Sequence, residues 1–102
     1  MDAVSTEAAL LQALIAGDNY GLALINLVKE RTKGKVILNQ GTIYPALRKM
    51  EKDGLVKSYE SEPLPERGGR PRVYYKITAL GRKTAMEDAQ TVWGLFGALV
   101  HS

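Results

Sequence analysis

The chain has 102 residues, no cysteine and a formal net charge of +3. This length is that of one small domain, and the absence of cysteine excludes disulfides and thiolate metal sites. No apolar run is long enough to span a bilayer, and the acidic residues Asp2 and Glu7 argue against a secretion signal. We therefore expect a cytoplasmic protein that does not associate with membranes.

The basic residues are confined to the middle of the chain. All 14 lysines and arginines lie between Lys29 and Lys83, a segment with six acidic residues and therefore a net charge of +8. The remaining acidic residues lie in the two flanks, which have no lysine or arginine. A basic middle between acidic ends predicts a surface that binds a polyanion. The alternative is chance clustering of solvated charges.

Two helices are predicted in the first third of the chain. Residues 4–16 form the first, which is capped by Ser5 or Thr6. Residues 20–31 form the second, and residues 36–38 are too few for a helix and predict a short strand. The predicted caps and buried side chains of the second helix are Asp18, Asn19, Leu22, Ile25, Leu27 and Val28.

The helix on which the functional prediction depends covers residues 39–54. Asn39 can cap its first turn, and Gly54 can close its last turn in the left-handed conformation. One face is apolar at a spacing of three and four residues and consists of Ile43, Ala46, Leu47 and Met50. The opposite face has small residues first and cations later, which suits a helix that enters a DNA major groove. The alternative is an ordinary amphipathic helix with a solvated basic face.

Pro45 lies inside this predicted helix. It has no N–H group, so it cannot donate a hydrogen bond to the carbonyl of Gly41. Two explanations remain open: the helix starts later than Asn39 indicates, or the carbonyl finds another partner.

A β-hairpin with a long tip is predicted after the central helix. Its strands are residues 55–60 and 73–77, which flank a segment rich in proline and glycine. This segment carries Arg67, Arg70 and Arg72, and arginines beside glycines on such a wing can follow phosphates or enter a minor groove. The alternative is a flexible, solvated turn.

The last helix is predicted to run from Ala79 to about Val100, with Thr78 as its cap. Its apolar residues repeat at intervals of three and four, as in the seam of a coiled coil. The seam consists of Met86, Ala89, Trp93, Phe96 and Val100, widened by Val92, Leu95 and Leu99. Such an apolar face predicts packing on a second copy of the chain. The alternative is that the helix folds back on its own domain.

The sequence contains no recognisable catalytic constellation. The one histidine is His101, no paired carboxylates share an apolar site, and no glycine-rich phosphate loop joins a strand to a helix. We therefore expect no enzymatic activity, no cofactor and no metal ion. A second class of function stays open, in which the basic face binds an acidic protein partner.

The predicted elements have the order of a winged helix-turn-helix, and at this point the sequence resembles the PadR family of transcriptional regulators. The match covers about residues 8–85. Its most specific stretches are Gly41-Thr42-Ile43-Tyr44-Pro45-Ala46-Leu47 and Gly68-Gly69-Arg70-Pro71-Arg72-Val73-Tyr74-Tyr75, supported by Asn19-Tyr20-Gly21 and Ile77-Thr78-Ala79-Leu80-Gly81-Arg82. The expected fold is mainly α with a small β-hairpin. Residues 1–78 form the DNA-binding domain and residues 79–102 a long C-terminal dimerisation helix.

The resemblance implies a homodimer that binds a palindromic operator in double-stranded DNA and represses transcription. It implies that the central helix enters the major groove and that the wing touches the backbone or the minor groove. The expected DNA-binding residues are Asn39, Gln40, Thr42, Tyr44, Pro45, Arg48, Lys49, Lys52, Arg67, Arg70, Arg72 and Lys35.

The resemblance also implies that the last helix crosses onto the first helix of the partner. In multidrug-binding relatives, tryptophans of the two last helices hold flat aromatic compounds, and Trp93, the one tryptophan of this chain, is the candidate for such contact with a small hydrophobic or aromatic effector. Trp93 lies about one residue from the usual position, a rotation of ~100°, and plain dimer packing with Phe96 is the alternative. The expected dimer and effector residues are Met86, Ala89, Val92, Trp93, Phe96, Val100 and Leu11.

Overall fold

The computed structural model describes residues 5–62, 68 and 71–87. The elements in these ranges are α1 (Thr6–Ile15), β1 (Asn19–Tyr20), α2 (Gly21–Arg31), α3 (Gln40–Lys52), β2 (Val56–Glu60), β3 (Val73–Ile77) and α4 (Ala79–Glu87). The strands form one antiparallel sheet in the order β1-β3-β2. The predicted mainly helical fold with a β-hairpin is confirmed, and the sheet has a third strand, β1, that was not predicted. No helix in these ranges is long and apolar enough to cross a membrane.

Helix α1 lies in the hydrophobic core and contacts the other three helices and β3. It is capped as predicted, since the side chain of Ser5 accepts a hydrogen bond from the backbone N–H of Ala8 at 3.1 Å. Its buried residues are Ala8, Ala9, Leu10, Leu11, Ala13 and Leu14. Leu11 is 1% exposed. Its assignment to the dimer interface is therefore corrected, because its side chain packs inside its own chain.

Helix α2 begins one residue later than predicted, because the preceding residues belong to the sheet. Asn19 lies opposite Tyr75 and Tyr20 opposite Tyr74 in the pairing of β1 with β3. Tyr20 has extended backbone angles, φ −106° and ψ 164°, and no side chain caps the helix. The predicted cap by Asp18 and Asn19 is therefore wrong.

The buried face of α2 also differs from the prediction. Gly21, Leu24 and Val28 are buried, whereas Leu22 is 49% exposed. These buried positions follow a three-and-four spacing from the first residue of the helix, as expected for one face. Leu22 lies about 160° around the helix from Leu24 and therefore faces away from the core, whereas Ile25 and Leu27 are partly buried against it.

The connection between α2 and α3 is built on a buried threonine rather than on a strand. The hydroxyl of Thr32 donates to the carbonyl of Val28 at 2.8 Å and accepts from the backbone N–H of Val36 at 3.0 Å. The strand predicted at residues 36–38 is wrong, since these residues are irregular and belong to none of the three strands of the described sheet. Among residues 36–38, Leu38 is the buried one.

Helix α3 and the hairpin agree with the predictions. The side chain of Asn39 accepts from the backbone N–H of Thr42 at 3.0 Å, and Gly54 has a left-handed φ of 79° after the last turn. The buried residues of α3 are Ile43, Leu47 and Met50. Strands β2 and β3 pair over their whole length, which positions the wing beside α3.

The described part of the last helix packs on its own domain. Thr78 caps it by accepting from the backbone N–H of Gly81 at 3.0 Å. Ala85 is buried, and the side chain of Gln12 in α1 donates to its carbonyl at 3.2 Å. The start of α4 is therefore held against α1 of its own domain. The predicted continuation through residues 88–102 lies outside the described residues.

Candidate nucleic-acid interface

The exposed side of α3 brings together six of the twelve residues predicted to bind DNA. They are Gln40, Thr42, Pro45, Arg48, Lys49 and Lys52. Lys35 and Asn39 are exposed ahead of the helix, and Gly41 is exposed in its first turn. Within the described ranges, Arg48 and Lys52 form no ion pair. Their charges are therefore available to phosphates or to base edges, while the small residues at the start of the helix permit close approach.

The first turn of α3 holds two of the predicted contact residues in one hydrogen-bonded group. The side-chain oxygen of Asn39 accepts from the backbone N–H of Thr42 at 3.0 Å and from its hydroxyl at 3.2 Å. Both residues are exposed. These bonds orient both side chains and do not use the amide nitrogen of Asn39, which is a hydrogen-bond donor.

Pro45 is the sixth residue of α3, which begins at Gln40. The explanation that the helix starts later than Asn39 indicates is therefore wrong, since Asn39 is its N-cap. Gly41 is exposed, so its carbonyl, which cannot receive a bond from Pro45, lies on a solvent-accessible part of the helix. Water or a hydrogen-bond donor group of DNA can therefore donate to this carbonyl.

Tyr44 has a packing role in addition to its place on the edge of the basic face. It is half-buried, and its ring lies against Gly21 at the start of α2. A Cβ atom at Gly21 would lie 2.6 Å from the hydroxyl oxygen of Tyr44. The glycine therefore makes room for the ring, which holds α3 against α2.

Lys49 is partly neutralised by two carboxylates. Its ammonium lies 2.9 Å from Asp53 in the same helix and 3.5 Å from Glu7 in α1. The hydrogen bond and charge of Asp53, followed by the charge of Glu7, raise the pKa of Lys49. Of the three cations that the sequence groups together, Lys49 is therefore paired with carboxylates, whereas Arg48 and Lys52 form no ion pair among the described residues.

A contact between α3 and the wing was missed by the sequence reasoning. The carboxylate oxygen Oε2 of Glu51 accepts from the backbone N–H of Ser58 at 3.1 Å and from its hydroxyl at 2.7 Å. Ser58 lies in β2, so this carboxylate ties the C-terminal end of α3 to the hairpin. The sequence signal for this contact is one acidic residue, Glu51, among the basic residues of α3, followed by a serine, Ser58, in the next strand.

Tyr75 lies in β3 opposite Ser58 and is 7% exposed. Burial raises the pKa of Tyr75, and the charges of Glu51 and Tyr44 act in the same direction, whereas Arg48 opposes them. Because its strand partner Ser58 donates two hydrogen bonds to Glu51, Tyr75 lies at the helix–wing junction. Sequence analysis assigned it to the strand without this role.

The base of the wing is closed by two hydrogen bonds between Ser61 and Arg72. The backbone N–H of Ser61 donates to the carbonyl of Arg72 at 2.8 Å, and the backbone N–H of Arg72 donates to the hydroxyl of Ser61 at 3.0 Å. The guanidinium of Arg72 lies 4.2 Å from the centre of the Tyr20 ring. Arg72 is thus held at the base of the wing by a cation–π contact. Arg67 and Arg70 lie outside the described residues.

The predicted dimer and effector residues are not brought together in the described ranges. Met86 is 74% exposed on α4, whereas Leu11 is buried in the core. The remaining members, Ala89, Val92, Trp93, Phe96 and Val100, lie outside the described residues. No group of three potential metal ligands was found in the part of the chain that the structure describes.

Comparison with known proteins matches residues 10–87 to the model of the transcriptional regulator PadR-like family. The fold is similar to that of a transcriptional regulator from Clostridium thermocellum, with 29% sequence identity and a TM-score of 0.73 over 94% of this chain and 89% of that one. It is also similar to a PadR family regulator from Clostridium difficile, with 28% identity and a TM-score of 0.70 over 93% of this chain and 94% of the other.

A third similar structure is Bacillus subtilis PadR in complex with operator DNA. It shares 20% identity with this chain and has a TM-score of 0.70, covering 79% of this chain and 45% of that protein. At this identity the similarity concerns the fold.

Proposed function

Because this chain belongs to the PadR-like family of transcriptional regulators, we propose that it is a homodimeric repressor that binds a palindromic operator through α3. The observation that carries the proposal is the exposed side of α3, where Arg48 and Lys52 have no carboxylate partner among the described residues. As in the sequence-based expectation, we place this regulator in the cytoplasm.

The residues on this surface make two kinds of contact with DNA, one with base edges and one with phosphates. Thr42 and Arg48 read base edges in the major groove, since a hydroxyl and a guanidinium are both suited to that contact. Lys35 and Lys52 neutralise phosphates, which contributes affinity without sequence preference. Arg67 and Arg70 extend the contact along the wing. Because phosphate contacts release counterions, the affinity falls steeply as salt is raised.

The dimer forms through residues 79–102, whereas residues 1–78 form the DNA-binding part. The exposed side chain of Met86 supports a partner contact at this point of α4. Two copies related by a twofold axis then place their α3 helices in successive major grooves, about 34–36 Å apart. A small aromatic effector bound near Trp93 would change this separation and thereby the fit to the operator.

Fluorescence anisotropy on the DNA upstream of the chain's own gene and on a scrambled fragment, across a salt series, tests the DNA-binding proposal. We expect tight binding to the native fragment and weak binding to the scramble. Arg48→Ala should reduce the difference between the two fragments, whereas Lys52→Ala should weaken both alike. Equal, weak binding to both fragments that moderate salt abolishes would contradict a specific regulator.

Sedimentation velocity tests the dimer separately from DNA binding. Wild type should sediment as a dimer, and Trp93→Ala or Phe96→Asp should shift it toward the monomer at low concentration. A variant that remains an equally stable dimer would remove the last helix from the proposed interface. Titration of the dimer with flat aromatic compounds, followed by Trp93 fluorescence, tests the effector.

A further inference from the structure

The three-stranded sheet has an outer face that the proposed DNA contacts leave unused. Side chains alternate along a strand, and Val56, Tyr75 and Ile77 are buried toward the core. The intervening residues therefore point to the other side. They are Tyr20, Lys57, Tyr59, Tyr74 and Lys76, and together they form what we call the outer face.

Two lysines face each other on the outer face. Lys57 lies directly opposite Lys76 in the register of β2 and β3, and both are exposed. Neither forms an ion pair in the part of the chain that the structure describes. Like charges directly opposite each other in a sheet repel. An anionic group bound between the two ammonium groups would remove that repulsion.

A row of three tyrosines crosses the sheet beside the lysines. The Tyr74 ring lies 5.4 Å from that of Tyr20 in an edge contact and 5.7 Å from that of Tyr59 in a stacked contact. Tyr59 is 44% exposed. Its hydroxyl donates to the carboxylate of Asp18 at 2.8 Å, and Arg72 lies over Tyr20. The row is thus held at both ends and offers apolar ring surface next to two cations.

The position of α3 separates the outer face from the DNA-binding surface. Ser58 belongs to the opposite, inner side of β2 and holds the carboxylate of Glu51 in α3. The sheet therefore lies between α3 and the outer face. A duplex that engages Arg48 and Lys52 does not cover Lys57 and Lys76.

We propose that the outer face is a docking surface for an acidic protein segment. Its carboxylates would lie between Lys57 and Lys76, and its apolar side chains would contact Tyr59 and Tyr74. Charge complementarity favours this partner, and Tyr74 already has a ring on each side, which disfavours a platform for stacked bases. The surface goes beyond operator binding, because the regulator can hold DNA and the acidic segment at once.

The test uses the full chain and a fluorescein-labelled peptide of glutamates interrupted by phenylalanines. Binding is measured by anisotropy, with and without saturating unlabelled upstream DNA. We expect peptide affinity to fall by about tenfold or more in Lys57→Glu/Lys76→Glu, while the affinity for upstream DNA stays that of wild type. The matched control is Lys29→Glu/Arg31→Glu, which makes the same change of net charge at the end of α2 and should retain most of the peptide affinity.

A second pair of substitutions separates docking from folding. Lys57→Gln/Lys76→Gln removes both charges and their mutual repulsion, so its thermal stability should equal or exceed that of wild type. Its peptide affinity should nevertheless fall. A variant with intact stability and lost peptide binding supports docking at the outer face.

Three results would overturn the proposal. Unchanged peptide affinity in both lysine variants would exclude the outer face. Displacement of the peptide by upstream DNA would place the peptide on the α3 surface. Loss of affinity for both upstream and scrambled DNA in the lysine variants would assign the face to nucleic-acid binding. Failure of wild type to bind upstream DNA specifically would contradict the repressor proposal and leave the peptide result standing.

Discussion

Glu51 on α3 and Ser58 on β2 join the helix that carries the basic surface to the wing. A single carboxylate oxygen accepts from both the backbone N–H and the hydroxyl of Ser58, at 3.1 and 2.7 Å. Hydrogen bonds to an ionised acceptor are shorter and stronger than neutral ones. This side-chain pair therefore adds to the core packing that fixes the relative position of α3 and the hairpin, and the first prediction concerns its loss.

We expect Ser58→Ala to weaken binding to the upstream fragment more than its effect on folding explains. It removes the 2.7 Å hydrogen bond but keeps the backbone N–H bond to Glu51. The free energy of unfolding should fall by about 1 kcal/mol, measured by urea denaturation. Because the hairpin is then held less firmly beside α3, anisotropy should show a lower affinity for the upstream fragment. Ser58→Thr, which restores a hydroxyl, is the control; equal affinity in all three proteins would speak against this role.

Lys49 and Lys52 should differ in their effect on DNA binding, although both are lysines near the end of α3. Lys49 is paired with Asp53 and Glu7, whereas Lys52 forms no ion pair among the described residues. Lys52→Ala should therefore reduce the slope of log affinity against log salt concentration by about 1. Lys49→Ala should reduce it less. Indistinguishable slopes for the two variants would show that the ion pairs do not compete with phosphate.

Gly21→Ala should destabilise the protein through its contact with Tyr44. The added methyl group would lie 2.6 Å from the tyrosine hydroxyl oxygen, so the ring must move. We expect a loss of about 1–3 kcal/mol in the free energy of unfolding. Tyr44→Leu shortens the side chain, so the double variant should lose less than the two single losses added together.

Gly81→Ala is the control for the double-mutant cycle of Gly21→Ala and Tyr44→Leu. The added methyl group would collide with the backbone carbonyl of Leu55. A backbone carbonyl cannot move away by rotation of a side chain, whereas the Tyr44 ring can. We therefore expect a larger loss of stability than for Gly21→Ala, and no rescue by Tyr44→Leu. Strict additivity of Gly21→Ala and Tyr44→Leu would contradict the proposed contact.

The stability of the protein should fall at alkaline pH partly because of Tyr75. Burial, together with Glu51 and Tyr44, raises the pKa of this residue above its ordinary value of 10.0. As pH rises through that value, the unfolded chain releases the proton before the folded chain does. The unfolded state then binds fewer protons, so the free energy of unfolding decreases with pH. At neutral pH the hydroxyl is protonated in both states and contributes no slope.

Tyr75→Phe tests this assignment by removing the titrating group while keeping the ring. The decline in unfolding free energy above the ordinary tyrosine pKa should be shallower than in wild type, as measured by urea denaturation over a pH series. Tyrosinate absorbance of the folded protein should lose a late-titrating component. Parallel stability curves for the two proteins would contradict the raised pKa.

Local features of this chain were predictable because their partners lie a few residues away. The caps by Ser5, Asn39 and Thr78 each depend on a side chain and a backbone N–H three residues later. The buried stripe of α3 repeats at helical spacing, and the hairpin strands have β-branched and aromatic residues. These features were sufficient to predict the winged helix and its basic surface.

Contacts between distant segments could not be predicted in this way. Asn19 and Tyr20 form a strand because β3, more than fifty residues later, provides an edge for them. The burial of Leu11, the neutralisation of Lys49 by Glu7 and the Glu51–Ser58 contact likewise depend on how the elements pack. Periodicity reports which side of an element is apolar, whereas the identity of the group opposite it is set when separate elements come together.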